Sequence, residues 1–377
     1  MDAFQATQFL LTRSKIDKFF ILISSIILIG FISRSHVTPI WPGDGMGQWA
    51  FKALEFKYHE SLSYSEDIQI RLNTWLNYPL LHTIEQLVNM IILPVPHAYS
   101  VKAFDSFYII GNIFCVFAFL GFFKFNFRKR LLGSFVAIFA PRELIDMVIS
   151  GYAEMGLSYF LLLSVTLLFI KNKNHKLFIV SGIALGMLSI TKSEGIFRAI
   201  IIVLSYLIWT RKEWKKNILA MGYLILPLFA LVVINKLSLP VKSAYTPYTS
   251  EMKFSYFLTR YKYAFLSFYY SIIYSVQGVF KCFWPLSLLI YLKFGLKKLF
   301  KIGLDAEFIF YLTLIIGGNL LFNLLPAWIA PLKVDYRMAL PENFAKLAMM
   351  RLNLQVAPVL SLLITILILK NFEENSK

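Results

Sequence analysis

Charge is scarce in this sequence. Only 16% of its 377 residues are Asp, Glu, Lys or Arg, whereas a soluble domain carries about a quarter. A chain that is 58% hydrophobic, with a mean hydropathy of +0.64, cannot cover itself with water-facing groups. Most of it must face lipid or other helices, and no soluble stretch is large enough to work alone. Cysteine is scarcer still. Cys115 and Cys282 both stand in apolar runs, which excludes a disulfide framework and a cysteine metal site and leaves the redox compartment unread. Acids are few beside bases, 21 against 38, for a net charge of +17. Such an excess can mark a nucleic-acid binder, but these bases form short clusters between apolar runs. That pattern suits membrane orientation and anionic head groups or phosphates.

What is present is a series of apolar runs, at about 19–33, 104–123, 131–147, 156–170, 177–191, 195–210, 217–237, 263–291, 306–325 and 352–369. A spanning helix takes about 20 mostly apolar residues, so the runs predict an all-α, polytopic membrane protein with about ten transmembrane helices. Aromatic residues make up 17% of the chain, many of them Tyr and Trp near run ends, where amphipathic rings favour the bilayer interface. The first run has basic residues before it and no small-residue cleavage site after it, which reads as a retained helix rather than a removed signal peptide.

The bases orient the runs. Arg13, Lys15 and Lys18 precede the first run. Alternate connections carry Lys124/Arg128/Lys129/Arg130, Lys171/Lys173/Lys176, Arg211/Lys212/Lys215/Lys216 and Lys293/Lys297/Lys298/Lys301. With ten spans these short loops share one side, which the positive-inside rule makes cytoplasmic. The expectation is a multi-pass protein of the plasma (inner) membrane with a cytoplasmic N-terminus. The connections 238–262 and 326–351 are also basic and fall outside.

Polar residues collect on the outer side. The extracytoplasmic loop 34–103 holds Asp44, the stretch GQWAFKALEF and the stretch NYPLLHTIEQLVNMIILP. Trp49, Ala50, Ala53, Leu54 and Phe56 have the spacing of a helix lying in the interface. His82, Glu85 and Asn89 form one stripe at three-to-four spacing, which predicts a partly inserted helix facing protein; a full span here would break the charge alternation. Further charges stand at external ends: Arg142, Glu143, Asp146 and Glu154 in PRELIDMVISGYAE, Lys192 and Glu194 in TKSEG, then Arg198, and Arg351 at the head of the last run. Ionisable groups at membrane depth are costly and mark function by default. Their gathering on one face suggests an external active site more than a path through the midplane.

In order and spacing these residues resemble the GT-C superfamily of membrane glycosyltransferases, which includes protein O-mannosyltransferases and aminoarabinose transferases, and within it an uncharacterised bacterial branch. WPGDGMGQWAFKALEF resembles the family's first-loop Asp and interfacial helix. NYPLL, with Tyr78, resembles its Tyr-Pro-Pro-Leu element, with one proline replaced. SGYAEMGLSYFLLL resembles the stretch opening the fourth helix, with Glu154 where the family has Asp. GIALGMLSITKSEG and MMRLNLQVAP resemble two further helix ends. The five together span residues 41 to 358. Many relatives carry a soluble C-terminal domain, and none is expected within 1–377, which reads as a single domain.

The resemblance implies transfer of a sugar from a polyprenyl phosphate to an extracytoplasmic hydroxyl or amine. It implies Asp44 as the base, Glu154 as a second acid, and Lys192, Arg198 and Arg351 as cations for the phosphate, with Lys52, Tyr78, His82, Glu85 and Glu194 as further site candidates. It implies no resident cofactor and no metal, although Asp44 and Glu154 could share a divalent cation. The partners implied are the lipid bilayer, the lipid-linked sugar and an unidentified acceptor, with no nucleic acid. Plainer readings stand beside these. Asp44 suits a turn. Glu154 suits a helix N-terminus. Lys192 and Glu194 can pair or reach the interface. Arg198 can pair with Asp146 or Glu143, and Arg351 can anchor at the interface. Lys52 and Glu55 read as solvated charges, and His82 with Glu85 as a satisfied pair. Phe265, Phe268 and Tyr269 read as packing. The alternative functions are a transporter or flippase of lipid-linked sugars, which would show internal repeats, and a surface-polysaccharide polymerase or ligase.

Overall fold

A computed structural model describes residues 14–40, 49–62, 80–93, 101–139, 145–146, 149, 151–169, 175–192, 194–211, 214–238, 311, 314–315, 317–318 and 357–375. Every described element is a helix: α1 Lys15–Val37, α2 Phe51–His59, α3 Leu81–Ile92, α4 Ala103–Phe122, α5 Phe127–Phe139, α6 Glu154–Phe169, α7 His175–Thr191, α8 Gly195–Trp209, α9 Trp214–Ser238 and α10 Ala357–Asn375. The all-α class expected from the apolar runs is thus the class observed.

Eight of the ten runs coincide with α1 and α4–α10. The run 263–291 lies outside the described residues, and only isolated helical positions of 306–325 are described. Among the described residues, α1, α4 and Ile218–Ser238 are long and apolar enough to cross a membrane, while α6, Lys176–Thr191, α8 and Ala357–Ile366 are apolar but shorter. Several boundaries differ from the runs, two of them instructively. α1 continues to Val37, because Arg34 and His36 sit in its last turn, where cations favour the helix dipole. α5 starts at Phe127 within the basic cluster and spans 13 residues to Phe139, so its basic first turn is helix rather than connection.

The exterior is apolar. Along α1, Phe19, Leu22, Ile26 and Ile29 are exposed, and along α9, Leu219, Leu226 and Phe229. Water would not tolerate so continuous an apolar surface; hydrocarbon does. The interior is packed from α4, α6, α7, α8 and α10, around Ile109, Val116, Phe119, Leu161, Leu188, Ile202 and Leu362. α6 lies centrally, against α4, α7, α8 and α10. α7 and α9 approach closely because Gly182 and Gly186 remove side chains from the interface: a Cβ on Gly182 would stand 2.3 Å from the Leu224 carbonyl, and one on Gly186 would stand 2.5 Å from Leu231. Small residues four apart are a common device for packing helices in lipid.

The contacts made by the helix termini distinguish two ends of the bundle. One end is aromatic and basic: Phe169 stacks on Trp209 at 5.9 Å between centroids, and Trp209 stacks on Tyr311 at 4.8 Å. There Arg128 Nε donates to Asp17 at 2.6 Å, joining the start of α1 to α5. The other end gathers the C-termini of α1 and α7 and the N-termini of α4, α6 and α8. The buried charges are there.

Candidate functional site

The helix α2 presents one face to the protein. Trp49, Ala53 and Phe56 are buried, as expected, but Leu54 is exposed and Lys52 is 1% exposed. The expectation of a solvated Lys52 is therefore corrected. On a helix, positions 49, 52, 53 and 56 share a face, so Lys52 turns inward with the aromatics and its ammonium lies 5.8 Å from the Trp49 ring centre. Burial pulls its pKa down to about 7. Glu55 does stay half-exposed, 3.2 Å from His59.

The helix α3 spans 12 residues, about 18 Å at 1.5 Å per residue, too short for a bilayer core of about 30 Å. It buries His82, Thr83, Glu85, Gln86, Asn89 and Met90, so the polar stripe faces protein. His82 Nδ1 lies 3.3 Å from Glu85 Oε2. The hydroxyl of Tyr108 on α4 donates to the other Glu85 oxygen. His82 Nε2 faces the Gly151 carbonyl at 3.4 Å and the Gln86 amide at 3.1 Å, and the edge of its ring meets Trp49 at 5.4 Å. Asn89 donates to the Val101 carbonyl at 3.0 Å. Burial pushes the His82 pKa down, and the Glu85 bond with the charges of Asp105 and Glu85 more than reverses this, leaving it above 6.5.

Gly151 has φ +75°, and a Cβ there would stand 2.8 Å from Ile40. The positive φ, open to glycine at little cost, turns its carbonyl toward α3. Three residues later Glu154 opens α6, fully buried. It is not merely a helix cap: Lys192 Nζ donates to its Oε1 at 3.1 Å and lies 3.2 Å from Glu194 Oε1. The lysine is 4% exposed, so it pairs rather than reaching for the interface. Gly195 makes this hinge possible, since a Cβ there would stand 1.9 Å from the Leu188 carbonyl. Arg198 follows one turn into α8, fully buried and attracted by the Glu194 charge. Asp146, one of its expected partners, is exposed, and the other, Glu143, lies outside the described residues.

Two residues the sequence reading passed over complete the cluster. Lys102, just before α4, donates to the carbonyls of Ser35 and Thr38 at the end of α1 and to Ile149 at 3.0 Å. A cation there meets the negative end of the α1 dipole. Burial lowers its pKa to about 8, against the opposing pull of Asp105. Asp105, in the first turn of α4, is 1% exposed, and neither of its oxygens has a hydrogen-bond partner among the described residues. It interacts electrostatically with His82, Glu85, Lys102 and Glu154. The available signal was a Lys and an Asp three residues apart at the head of an apolar run.

Asp44, Tyr78 and Arg351 lie outside the described residues. The structure therefore brings together Glu154, Lys192, Glu194 and Arg198 in one group and His82 and Glu85 in a neighbouring one, with Asp105 between them. Lys52 reaches the second group through Trp49. Among the described residues no three His, Cys, Asp or Glu side chains converge closely enough to hold a metal ion. The arrangement can hold charge out of water, move protons between paired groups and present cations to an anion.

No protein-family model matches the sequence, and no curated protein matches it either. Solved structures do. The chain is similar to ArnT from Cupriavidus metallidurans bound to undecaprenyl phosphate, with a TM-score of 0.58 and 13% identity over 92% of this chain. It is similar to the same protein in the apo state, with a TM-score of 0.57 and 14% identity over 93% of this chain. It spans 59% of the length of those chains. The likeness shows the fold: the helices of this chain are arranged as in ArnT.

Proposed function

We propose that this chain is a membrane glycosyltransferase that moves a sugar from a polyprenyl-phosphate donor to a hydroxyl or amine on the outer side of the plasma (inner) membrane. The observation that carries this reading is the fold shared, over 92% of the chain, with a protein solved with undecaprenyl phosphate. The buried charge cluster supports it, because transfer needs a base for the acceptor proton and cations for the phosphate leaving group.

The base is Asp44, flanked by Gly43 and Gly45, which let a substrate approach the backbone closely. The acceptor oxygen or nitrogen attacks the anomeric carbon, its proton passes to Asp44, and the bond to phosphate breaks with its electron pair staying on the phosphate. Lys192, Arg198 and Arg351 are the cations for that phosphate; a guanidinium grips it at two points and an ammonium at one. Lys192 already balances Glu154 and Glu194, so an incoming phosphate competes with Glu194, the more exposed of its two partners. Glu154 holds the lysine in place from the buried side. Tyr78 and Lys52 stand by as further contacts in the first outer loop. The reading requires no resident cofactor and no metal.

Membranes containing the protein, offered a panel of polyprenyl-phosphate sugars, should transfer one of them. Asp44→Asn should abolish transfer at unchanged expression and membrane insertion. Near-normal turnover by that variant would remove Asp44 from the mechanism, and no transfer by the wild type with any donor would remove the reading.

A further inference from the structure

Among the described residues the stripe on α3 meets the Glu154 group at the Gly151 carbonyl, which both His82 and Gln86 reach. Its Nδ1 lies 3.3 Å from Glu85 Oε2 and its Nε2 lies 3.4 Å from the Gly151 oxygen. A neutral imidazole has one N–H, so it can donate to only one of these two acceptors. The imidazolium donates to both. As placed, the Gln86 amide nitrogen faces Nε2 and reaches the Gly151 oxygen at 3.5 Å, so an imidazolium requires this amide to be turned over. It sits 3.1 Å from Nε2, and its oxygen has no partner among the described residues. With the amide turned over, that oxygen also accepts from Nε2–H. A buried cation needs negative charge nearby, and Glu85 and Asp105 supply it.

We propose that His82 is a positioning residue: as an imidazolium it ties α3 to the Gly151 turn, and through that turn it keeps Glu154 in register with Lys192. The charged groups acting on it are Glu85 on its own helix and Asp105 in the first turn of α4; Tyr108 of α4 bonds Glu85, Lys102 and Glu154 act on Asp105, and Lys52 of α2 lies against Trp49, whose ring meets His82. The acids draw the proton onto the ring. The sign follows from the His82 pKa lying above its ordinary value. The stability the tie contributes is fully present below the ordinary histidine pKa of 6.5 and is lost as pH rises through the higher folded value. The catalytic consequence rests on the transferase reading, but the state of the ring does not.

The full chain in lipid nanodiscs, labelled with ¹⁵N in its histidine rings, is titrated by NMR, and His82→Gln assigns the signal. The expected result is a His82 that becomes doubly protonated and loses that proton at higher pH than an exposed histidine, with the loss moving to lower pH in Asp105→Asn. A ring that loses its proton no higher in pH than an exposed histidine, or a titration unmoved by Asp105→Asn, overturns the proposal. Hydrogen exchange reads the tie itself: the amides of 152–157 should exchange several-fold faster in His82→Gln, and unchanged exchange overturns it. Should His82→Gln fail to fold, the wild-type and Asp105→Asn titrations still decide. In the transfer assay, His82→Gln should lower kcat roughly tenfold or more with the donor KM nearly unchanged; an intact kcat refutes the positioning role. An imidazolium in a wild type that transfers nothing leaves the ring assignment standing and sinks the transferase reading.

Discussion

Lys192 is a buried cation shared by two carboxylates. It is held between Glu154 and Glu194 at 3.1 and 3.2 Å, with almost no exposure. Removing one partner of a buried pair leaves the other charge uncompensated, at roughly 3–5 kcal/mol. Lys192→Met should therefore lower the thermal midpoint sharply in detergent. Adding Glu154→Gln should return part of the loss, because the stranded carboxylate is what costs. Equal midpoints for the single and double variants would mean that the pair contributes little. At this scale the sequence was partly legible. Glu154, Lys192 and Arg198 stood out as charges in apolar surroundings, and they do lie together. Lys52 was misjudged because helical spacing was read from the apolar positions alone, which hides a lysine that shares their face. Asp105 and Lys102 were overlooked because a charge at the head of a long apolar run resembles an ordinary boundary; only the return of α3 and of the segment around Gly151 onto that boundary buries them.

At the scale of elements, the tight pair is α7 with α9. Gly182 meets the Leu224 carbonyl, which is backbone and cannot rotate away. Gly182→Ala should force the helices apart at roughly 1–3 kcal/mol, the usual range for overpacking. Gly222→Ala, with nothing within 4 Å of the added carbon, should leave the midpoint within about 0.5 kcal/mol or raise it, since alanine favours the helix. If both variants behave alike, the interface is looser than these distances require. The helices themselves were legible as long apolar runs. Their ends were less so, since α1 and α5 take polar and basic residues into their terminal turns that a search for apolar runs leaves out.

For the whole molecule, the division into two ends carries the prediction. The basic, aromatic end holds Asn126, exposed in the turn before α5, and the site end holds the region of α2 that closes with Glu60. In a background with Cys115 and Cys282 replaced by serine, Asn126→Cys should react with a membrane-impermeant thiol reagent only from the cytoplasm, and Glu60→Cys only from outside. Reaction of both from one side would overturn the sidedness that the basic clusters imply. The number of spans was less legible than the fold. Several helices are shorter than a bilayer is thick, and hydropathy cannot tell a short spanning helix from one that stops part-way.

The first helix has a consequence for the lipid around it. Its flank is almost wholly exposed, yet each end is fixed by a polar contact: Asp17 to Arg128 at one, and the Ser35 and Thr38 carbonyls to Lys102 at the other. The 18 residue steps from Asp17 to Ser35 rise about 27 Å, close to the hydrocarbon thickness of a bilayer. α1 is thus a gauge of membrane thickness with one jaw resting on the candidate site. A bilayer too thin or too thick for it must tilt the helix or pull on Lys102, which adjoins Asp105. Acyl-chain length should then act on this protein as an effector, with an optimum set by a helix that contributes no candidate site residue.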